Sequence, residues 1–144
     1  MNALNIILIG HHQIAVSMKN AVEMIFGKVD EFYPITFLPQ EGLQELTNKL
    51  EKVLQTVDEK KETLVIADLF SGTPPYNAAA TLYLQHRVTD VVAGMSLPLC
   101  LEVASQKKTM NVAELVHYLL ANCESYTKVL SNVLQEQQDE REDF

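Results

Sequence analysis

The sequence is short of basic residues, cysteine and long apolar segments, and each shortage disfavours a class of protein. Its 144 residues carry 11 Lys and Arg against 19 Asp and Glu, and this net charge of −8 disfavours binding to nucleic-acid phosphates. No uncharged apolar run approaches the roughly 20 residues of a membrane span. The two cysteines, Cys100 and Cys123, lack metal-ligand spacing and lie among apolar residues, so we expect buried thiols in a protein of the reducing cytoplasm.

Several motifs that mark a bound cofactor or a hydrolase are also missing. There is no Walker loop, no dinucleotide-binding glycine pattern and no nucleophile elbow around a serine. His86 and His117 have no cysteine or acidic companions at metal-ligand spacing. We therefore expect neither a cofactor nor a metal ion.

What is present is an alternation of apolar runs and amphipathic segments. Uniformly apolar runs predict buried strands, and a 3.6-residue period predicts helices. The predicted strands are 5–9, 32–38, 64–67 and 90–96, and the predicted helices are 14–26, 43–57, 77–85, 98–105 and a long one from 112. Such alternation is typical of an α/β domain with a doubly wound, mainly parallel sheet and helices on both faces. We assign residues 1–134 to this domain and 135–144 to a charged, flexible tail.

Chemistry-bearing residues follow two of these strands. His11 and His12 come directly after Gly10, and Asp68 ends the third strand. Ligands and catalytic groups collect at the carboxyl ends of parallel strands, near the switch in strand order. An aspartate that accepts the proton of one imidazole nitrogen leaves the other nitrogen's lone pair outward, which suits a phosphoryl-accepting histidine.

The loop after Asp68 fits the same hypothesis. Ser71, Gly72 and Thr73 offer backbone N–H groups and hydroxyls to a phosphate near the start of a helix, and Gly10 allows close approach of the first turn. The alternative is that Asp68 caps a helix and the histidines are surface turn residues. The residues alone favour the two interpretations equally.

Three segments resemble one known family. IILIGHHQIAVSMKNAVEMIFG, LVIADLFSGTPPYNAAA and VVAGMSLPLCLE, in this order and spacing, are similar to the enzyme IIA domains of the mannose class in the bacterial sugar phosphotransferase system. The resemblance covers residues 5–126. It implies a cytoplasmic homodimer of doubly wound α/β domains with four parallel strands and a further antiparallel strand near the carboxyl end. Residues 125–134 could contain this strand or could continue the long helix to Leu134.

The resemblance also implies a function and its residues. His12 would accept a phosphoryl group from the histidine phosphocarrier protein HPr and pass it to an enzyme IIB on a separate chain, so that membrane IIC and IID components deliver a phosphorylated sugar. Asp68 matches the orienting aspartate, and Ser71, Gly72 and Thr73 the phosphate-binding loop. No metal or nucleotide takes part in this scheme.

The chain departs from the family pattern at three places. A small or hydroxyl residue commonly precedes the active histidine and a glycine follows it, whereas His11 and Gln13 flank His12. The loop ending in Tyr76 contains two prolines and is one residue longer. Ser96 stands where asparagine is common.

Three other functions remain open at this level. The chain could be the phosphocarrier subunit of a phosphoenolpyruvate-dependent dihydroxyacetone kinase, which shares the domain. It could be a regulatory module that signals sugar status when phosphorylated, or a structural homodimer with an inactive site. The sugar is not determined, because a IIA domain does not touch it.

Overall fold

In the computed structural model, which describes residues 3–142, the apolar runs form strands and the periodic segments form helices. The strands are β1 (Asn5–His11), β2 (Phe32–Phe37), β3 (Thr63–Ala67) and β4 (Asp90–Ala93). The helices are α1 (Ile14–Phe26), α2 (Leu43–Thr56), α3 (Pro74–Leu84), α4 (Leu97–Gln106), α5 (Val112–Asn122) and α6 (Leu130–Glu142), with a 3₁₀ turn at Cys123–Tyr126. Within residues 3–142, no helix is both long enough and apolar enough to span a membrane.

The four strands form one parallel sheet in the order β2-β1-β3-β4. The chain therefore winds from β1 to one edge of the sheet, returns to β3 and continues to the other edge, which confirms the doubly wound prediction. Pro34 lies in β2, beside Leu8 of β1. Proline is tolerated there because β2 is an edge strand and needs fewer N–H donors.

Alternating side chains of β1 build a core on each face of the sheet. Ile6 and Leu8 pack with apolar residues of α1, α4 and α5, whereas Ile7 and Ile9 pack with α2 and α3. All four side chains are fully buried. Because both faces of β1 are covered, the strand is apolar throughout and its register is strongly fixed.

The helix α3 begins earlier than its apolar pattern predicts. Pro74 and Pro75 occupy its first turn, and Thr73 is the N-cap residue. Proline suits this place because its fixed φ fits a helix and its missing N–H would have no partner in the helix. The additional proline of the loop is thus part of the helix and does not lengthen the loop.

The antiparallel strand expected within residues 125–134 is not found in the described chain. A 3₁₀ turn and the start of α6 occupy that segment. Leu130, Val133 and Leu134 are spaced at i, i+3 and i+4. This spacing places all three on one face of a helix, whereas in a strand Val133 would point to the opposite side from the two leucines. The helix continues through the charged segment to Glu142, so residues 135–142 are helical here. The remaining ends of the two assigned regions, 1–2 and 143–144, lie outside the described residues.

The cysteines differ in their surroundings. Cys100 is fully buried in α4, and this burial raises the pKa of its thiol to about 12. Cys123 is exposed at the 3₁₀ turn. The expectation of buried thiols is therefore confirmed for Cys100 and wrong for Cys123. Cys123 is exposed because no residue of its 3₁₀ turn is buried in the core.

This difference predicts the thiol chemistry of the folded chain. We expect Ellman's reagent to modify one thiol per native chain quickly and a second only after denaturation in urea, since the thiolate is the reacting form and Cys100 stays protonated. Cys123→Ser should remove the fast reaction. Two fast thiols in the native protein would contradict the burial of Cys100.

Candidate active site

The two histidine- and aspartate-bearing turns lie side by side at the carboxyl edge of the sheet. β1 and β3 are neighbours, and Ile9 lies opposite Ala67 in their register. The next residues continue the pairing, since the N–H of Asp68 donates to the Ile9 carbonyl at 3.1 Å. This is also where the strand order switches, so the fold brings the predicted carboxylate to the predicted histidines.

Asp68 is hydrogen-bonded to His11. One carboxylate oxygen, Oδ2, lies 2.8 Å from the backbone nitrogen of His11, which donates to it, and 2.9 Å from Nδ1 of the His11 ring. The Asp68 side chain is only 8% exposed, whereas that of His11 is 42% exposed. A buried carboxylate therefore holds a histidine whose outer edge faces solvent.

This contact selects the tautomer of His11. An ionised carboxylate can only accept, so Nδ1 carries the proton and donates it to Oδ2. Nε2 then keeps its lone pair, and no hydrogen bond of the described residues engages it. Phe37, at the end of β2, packs its ring edge against the imidazole, with centroids 5.8 Å apart and planes at 78°. The ring is held from two sides while Nε2 remains available as a nucleophile.

His12 occupies a different environment from the one predicted. Its backbone φ is +52°, in the left-handed region, and its N–H donates to the Phe37 carbonyl at 2.7 Å. Its side chain is exposed, and the hydrogen bonds of residues 3–142 include none between His12 and Asp68. The family resemblance implied that the orienting carboxylate serves the histidine at position 12. The structure pairs it with His11 instead, because β1 runs on to His11 before the chain turns.

Gly10 is required by this close arrangement. A Cβ atom at position 10 would overlap the Ile14 side chain and lie 3.0 Å from Cγ of Asp68. The inference that Gly10 permits close approach of the first turn is thus supported, and the group that approaches is the Asp68 carboxyl.

The predicted phosphate loop lies between Asp68 and α3. Ser71 and Gly72 are exposed, Gly72 has a φ of +88°, and the Thr73 hydroxyl donates to the Phe70 carbonyl at 3.5 Å. Among the described residues, no hydrogen bond joins this loop to either histidine. Its role in binding phosphate therefore stays a prediction.

Apolar side chains are exposed beside the site. Leu69 and Phe70 follow Asp68 directly and are 53% and 67% exposed. The Phe70 ring packs on Tyr76 of α3, with centroids 4.9 Å apart. Ile14, at the start of α1, is also partly exposed. Large exposed apolar side chains grouped around a reactive residue are typical of a surface that another protein covers.

Ser96, by contrast, has a structural role. Its Oγ accepts a hydrogen bond from the backbone N–H of Leu99 at 3.3 Å and caps α4. This cap accounts for a polar residue at the position where the family often has asparagine.

Comparison with known proteins identifies the family. The model described as the PTS system fructose IIA component, EIIA-man, matches residues 5–120. The chain belongs to this enzyme IIA family of the sugar phosphotransferase system. It is 48% identical to the sorbose-specific EIIA component of Lacticaseibacillus casei, over 89% of this chain and 91% of that protein. It is 33% identical to the fructose-specific EIIA component of Bacillus subtilis, over 97% and 98% of the two chains.

A solved structure agrees with the fold of this IIA chain. The mannose/sorbose-specific IIA subunit from Enterococcus faecalis superposes with a TM-score of 0.77 at 28% identity, covering 90% of this chain and 95% of that one. The mannose-class resemblance inferred from the three motifs is thus confirmed.

The family resemblance was applied to His12, although the sequence also carries a signal for His11. If His11 is the active histidine of this IIA domain, a small residue, Gly10, precedes it as the family pattern demands. His12 then stands where the pattern has glycine, and its φ of +52° is a conformation that glycine adopts without strain. Moving the assignment by one residue removes the departure before the active histidine, whereas a residue other than glycine still follows it.

The fit of Gly10 can be tested by adding one methyl group. We expect Gly10→Ala to lower the free energy of unfolding by about 1–3 kcal/mol, because the methyl group pushes on Ile14 and Asp68. The measurement is urea denaturation followed by circular dichroism. Gly42→Ala is the matched control, because a Cβ there meets only the flexible Glu45 side chain at 3.3 Å. Equal losses in the two variants would show that the space around Gly10 is not limiting.

Proposed function

We propose that this enzyme IIA component carries a phosphoryl group on Nε2 of His11. The observation that carries the proposal is the 2.9 Å contact between Nδ1 of His11 and Oδ2 of Asp68, which leaves Nε2 unprotonated on a partly exposed ring. The donor is the histidine phosphocarrier protein HPr and the acceptor an enzyme IIB, as the family resemblance implies. His11 replaces His12 as the acceptor in this proposal because only His11 contacts the carboxylate.

The transfer needs no change in the protons of the His11 ring. The Nε2 lone pair forms a bond to phosphorus while the phosphorus–nitrogen bond to the donor imidazole breaks, and that electron pair returns to the donor ring. Nδ1 keeps its proton throughout, so the His11 ring becomes a cation as the phosphoryl group arrives. Asp68, buried and already bonded to Nδ1–H, stabilises that cation without having to move.

The donors for the phosphoryl oxygens come from the loop after Asp68. Ser71, Gly72 and Thr73 are not part of a regular helix or strand, so their N–H groups and the Ser71 hydroxyl can turn toward His11, and the Thr73 hydroxyl can do so by giving up its long hydrogen bond to the Phe70 carbonyl. Pro74 and Pro75 offer no N–H groups, so Tyr76 is the first residue of α3 that can contribute one. We propose that Ser71, Gly72 and Thr73 close on the phosphoryl group.

Both partner proteins would approach His11 from the same side. Ile14, Leu69 and Phe70, exposed around the ring, form the surface that the partners cover. The net charge of −8 favours encounter with a basic donor face. The homodimer and the cytoplasmic location that the family resemblance implies remain part of the proposal, with the uncovered apolar residues of α6 available to a second copy.

The names of the relatives favour sugar uptake over the alternative functions. Relatives that match over most of their length are named sorbose-specific or fructose-specific components. Both sugars are ketohexoses, so we propose that the system takes up a sugar of this class. The dihydroxyacetone kinase subunit and the regulatory module have no observation of their own in their favour.

The acceptor can be identified by phosphorylation of variants. With phosphoenolpyruvate, enzyme I and HPr, we expect one acid-labile phosphoryl group per chain, present in His12→Asn and absent in His11→Asn. Asparagine is used because it tolerates the left-handed conformation of position 12. Intact-protein mass spectrometry at neutral pH gives the measurement.

Each alternative gives a distinct result in this experiment. Loss of the phosphoryl group in His12→Asn alone would return the assignment to His12. No phosphorylation of the wild-type chain would favour a structural homodimer with an inactive site. Phosphorylation that cannot be passed to any enzyme IIB would favour the regulatory module.

The apolar surface is tested through Phe70. We expect Phe70→Ala to raise KM for phosphorylated HPr about tenfold with little change in kcat, since the variant loses contact area in the complex but no group at the reacting atoms. Leu84→Ala is the matched control, because Leu84 is equally exposed at the far end of α3. Equal kinetics in the two variants would contradict docking at Phe70.

A further inference from the structure

His12 stands in a conformation that disfavours its own side chain. With φ at +52°, its backbone lies in the left-handed region, where residues other than glycine are uncommon. The backbone N–H is satisfied by the Phe37 carbonyl, and that bond would form equally well with glycine at this position. A strained residue at a reactive turn points to a function for its side chain.

Among the described residues, neither a hydrogen bond nor membership of a core cluster links the His12 imidazole to the rest of the fold. The side chain is exposed, and the hydrogen bonds of residues 3–142 include none from its ring. It does not belong to either core cluster. Its position, next in sequence to His11, places its Cα about 3.8 Å from that of the proposed acceptor.

The start of α3 adds few donors for a phosphoryl group. Two prolines occupy the first two positions of α3, so two N–H groups that a helix start normally offers to an anion are missing. The nearest carboxylate, Asp68, repels the phosphoryl charge even though it stabilises the ring. An added donor at this turn would compensate for both effects.

We propose that the His12 ring donates a hydrogen bond to a non-bridging oxygen of the phosphoryl group on His11, and that this contact keeps histidine at a backbone position suited to glycine. The proposal rests on phosphorylation of His11. His12 neither forms nor breaks the phosphorus–nitrogen bond. It holds the phosphoryl group and offsets its negative charge during transfer.

The experiment separates the ring of His12 from its backbone. His12→Gly removes the donor and the strain together, so we expect an equal or higher Tm with a roughly tenfold slower phosphorylation by phosphorylated HPr, as expected for loss of a hydrogen bond to a charged group. His12→Asn keeps a side-chain donor and tolerates the left-handed conformation, so it should recover most of the rate. The ³¹P NMR signal of the phosphohistidine should shift in His12→Gly, which a purely structural role would not cause.

The matched control is the other histidine with a positive φ. His86 has a φ of +58° and precedes β4, at the opposite edge of the sheet from His11. His86→Gly should relieve strain in the same way and leave the phosphorylation rate and the ³¹P signal unchanged.

Several outcomes would overturn the proposal. One is phosphorylation of His12→Gly at the wild-type rate with an unshifted ³¹P signal. Another is a lower Tm in His12→Gly, which would assign the ring to stability. If the wild-type chain accepts no phosphoryl group on His11, the proposed function itself fails, and the unmodified wild-type protein reveals this before any variant is compared.

Discussion

The parallel pairing of β1 with β3 is the constraint on which the site depends. Both strands are buried on both faces, so a shift by one residue would exchange the side chains that meet the two cores, and the register is therefore fixed. With Ile9 opposite Ala67, the chain can deliver Asp68 to only one place, beside Gly10 and under His11. The geometry of the candidate site thus follows from the packing of apolar residues that lie outside it.

Much of the fold could be predicted from the sequence, because its signals are local. The apolar runs and the 3.6-residue period located four strands and five helices, and helix α1 was predicted with the bounds that the structure has. The errors lie where the local sequence pattern does not determine the secondary structure. The start of α3 is set by two prolines that a loop would also accept, and the carboxyl-terminal segment has apolar spacing that fits a helix better than the strand expected from the family. The exposure of Cys123 depends on where the chain leaves the core, and the spacing of apolar residues in the sequence does not give that position.

The residues of the candidate site were predicted from the sequence, but the pairing of Asp68 with His11 was not. The sequence located both turns, the carboxylate and the loop, and the structure brings the histidine turn and Asp68 together. Choosing between two adjacent histidines required knowing where β1 ends, a boundary that sequence patterns leave open by a residue or more. The φ of +52° at His12 marks the end of β1, because the chain leaves the strand there and turns into α1. The family resemblance was applied to His12, with His11 counted as the residue before the active histidine, whereas the structure pairs Asp68 with His11.

The buried carboxylate of Asp68 links the resting chain to the phosphorylated form that we propose. Oδ2 accepts both hydrogen bonds from His11, while Oδ1 is buried without a partner in the described part of the chain. In the phosphorylated form that we propose, the His11 ring is a cation, and its attraction to the carboxylate is stronger than that of the neutral ring. The electrostatic arrangement therefore suits the phosphorylated ring better than the neutral one. A carrier needs this property, since it must hold its group long enough to meet the next protein and still release it.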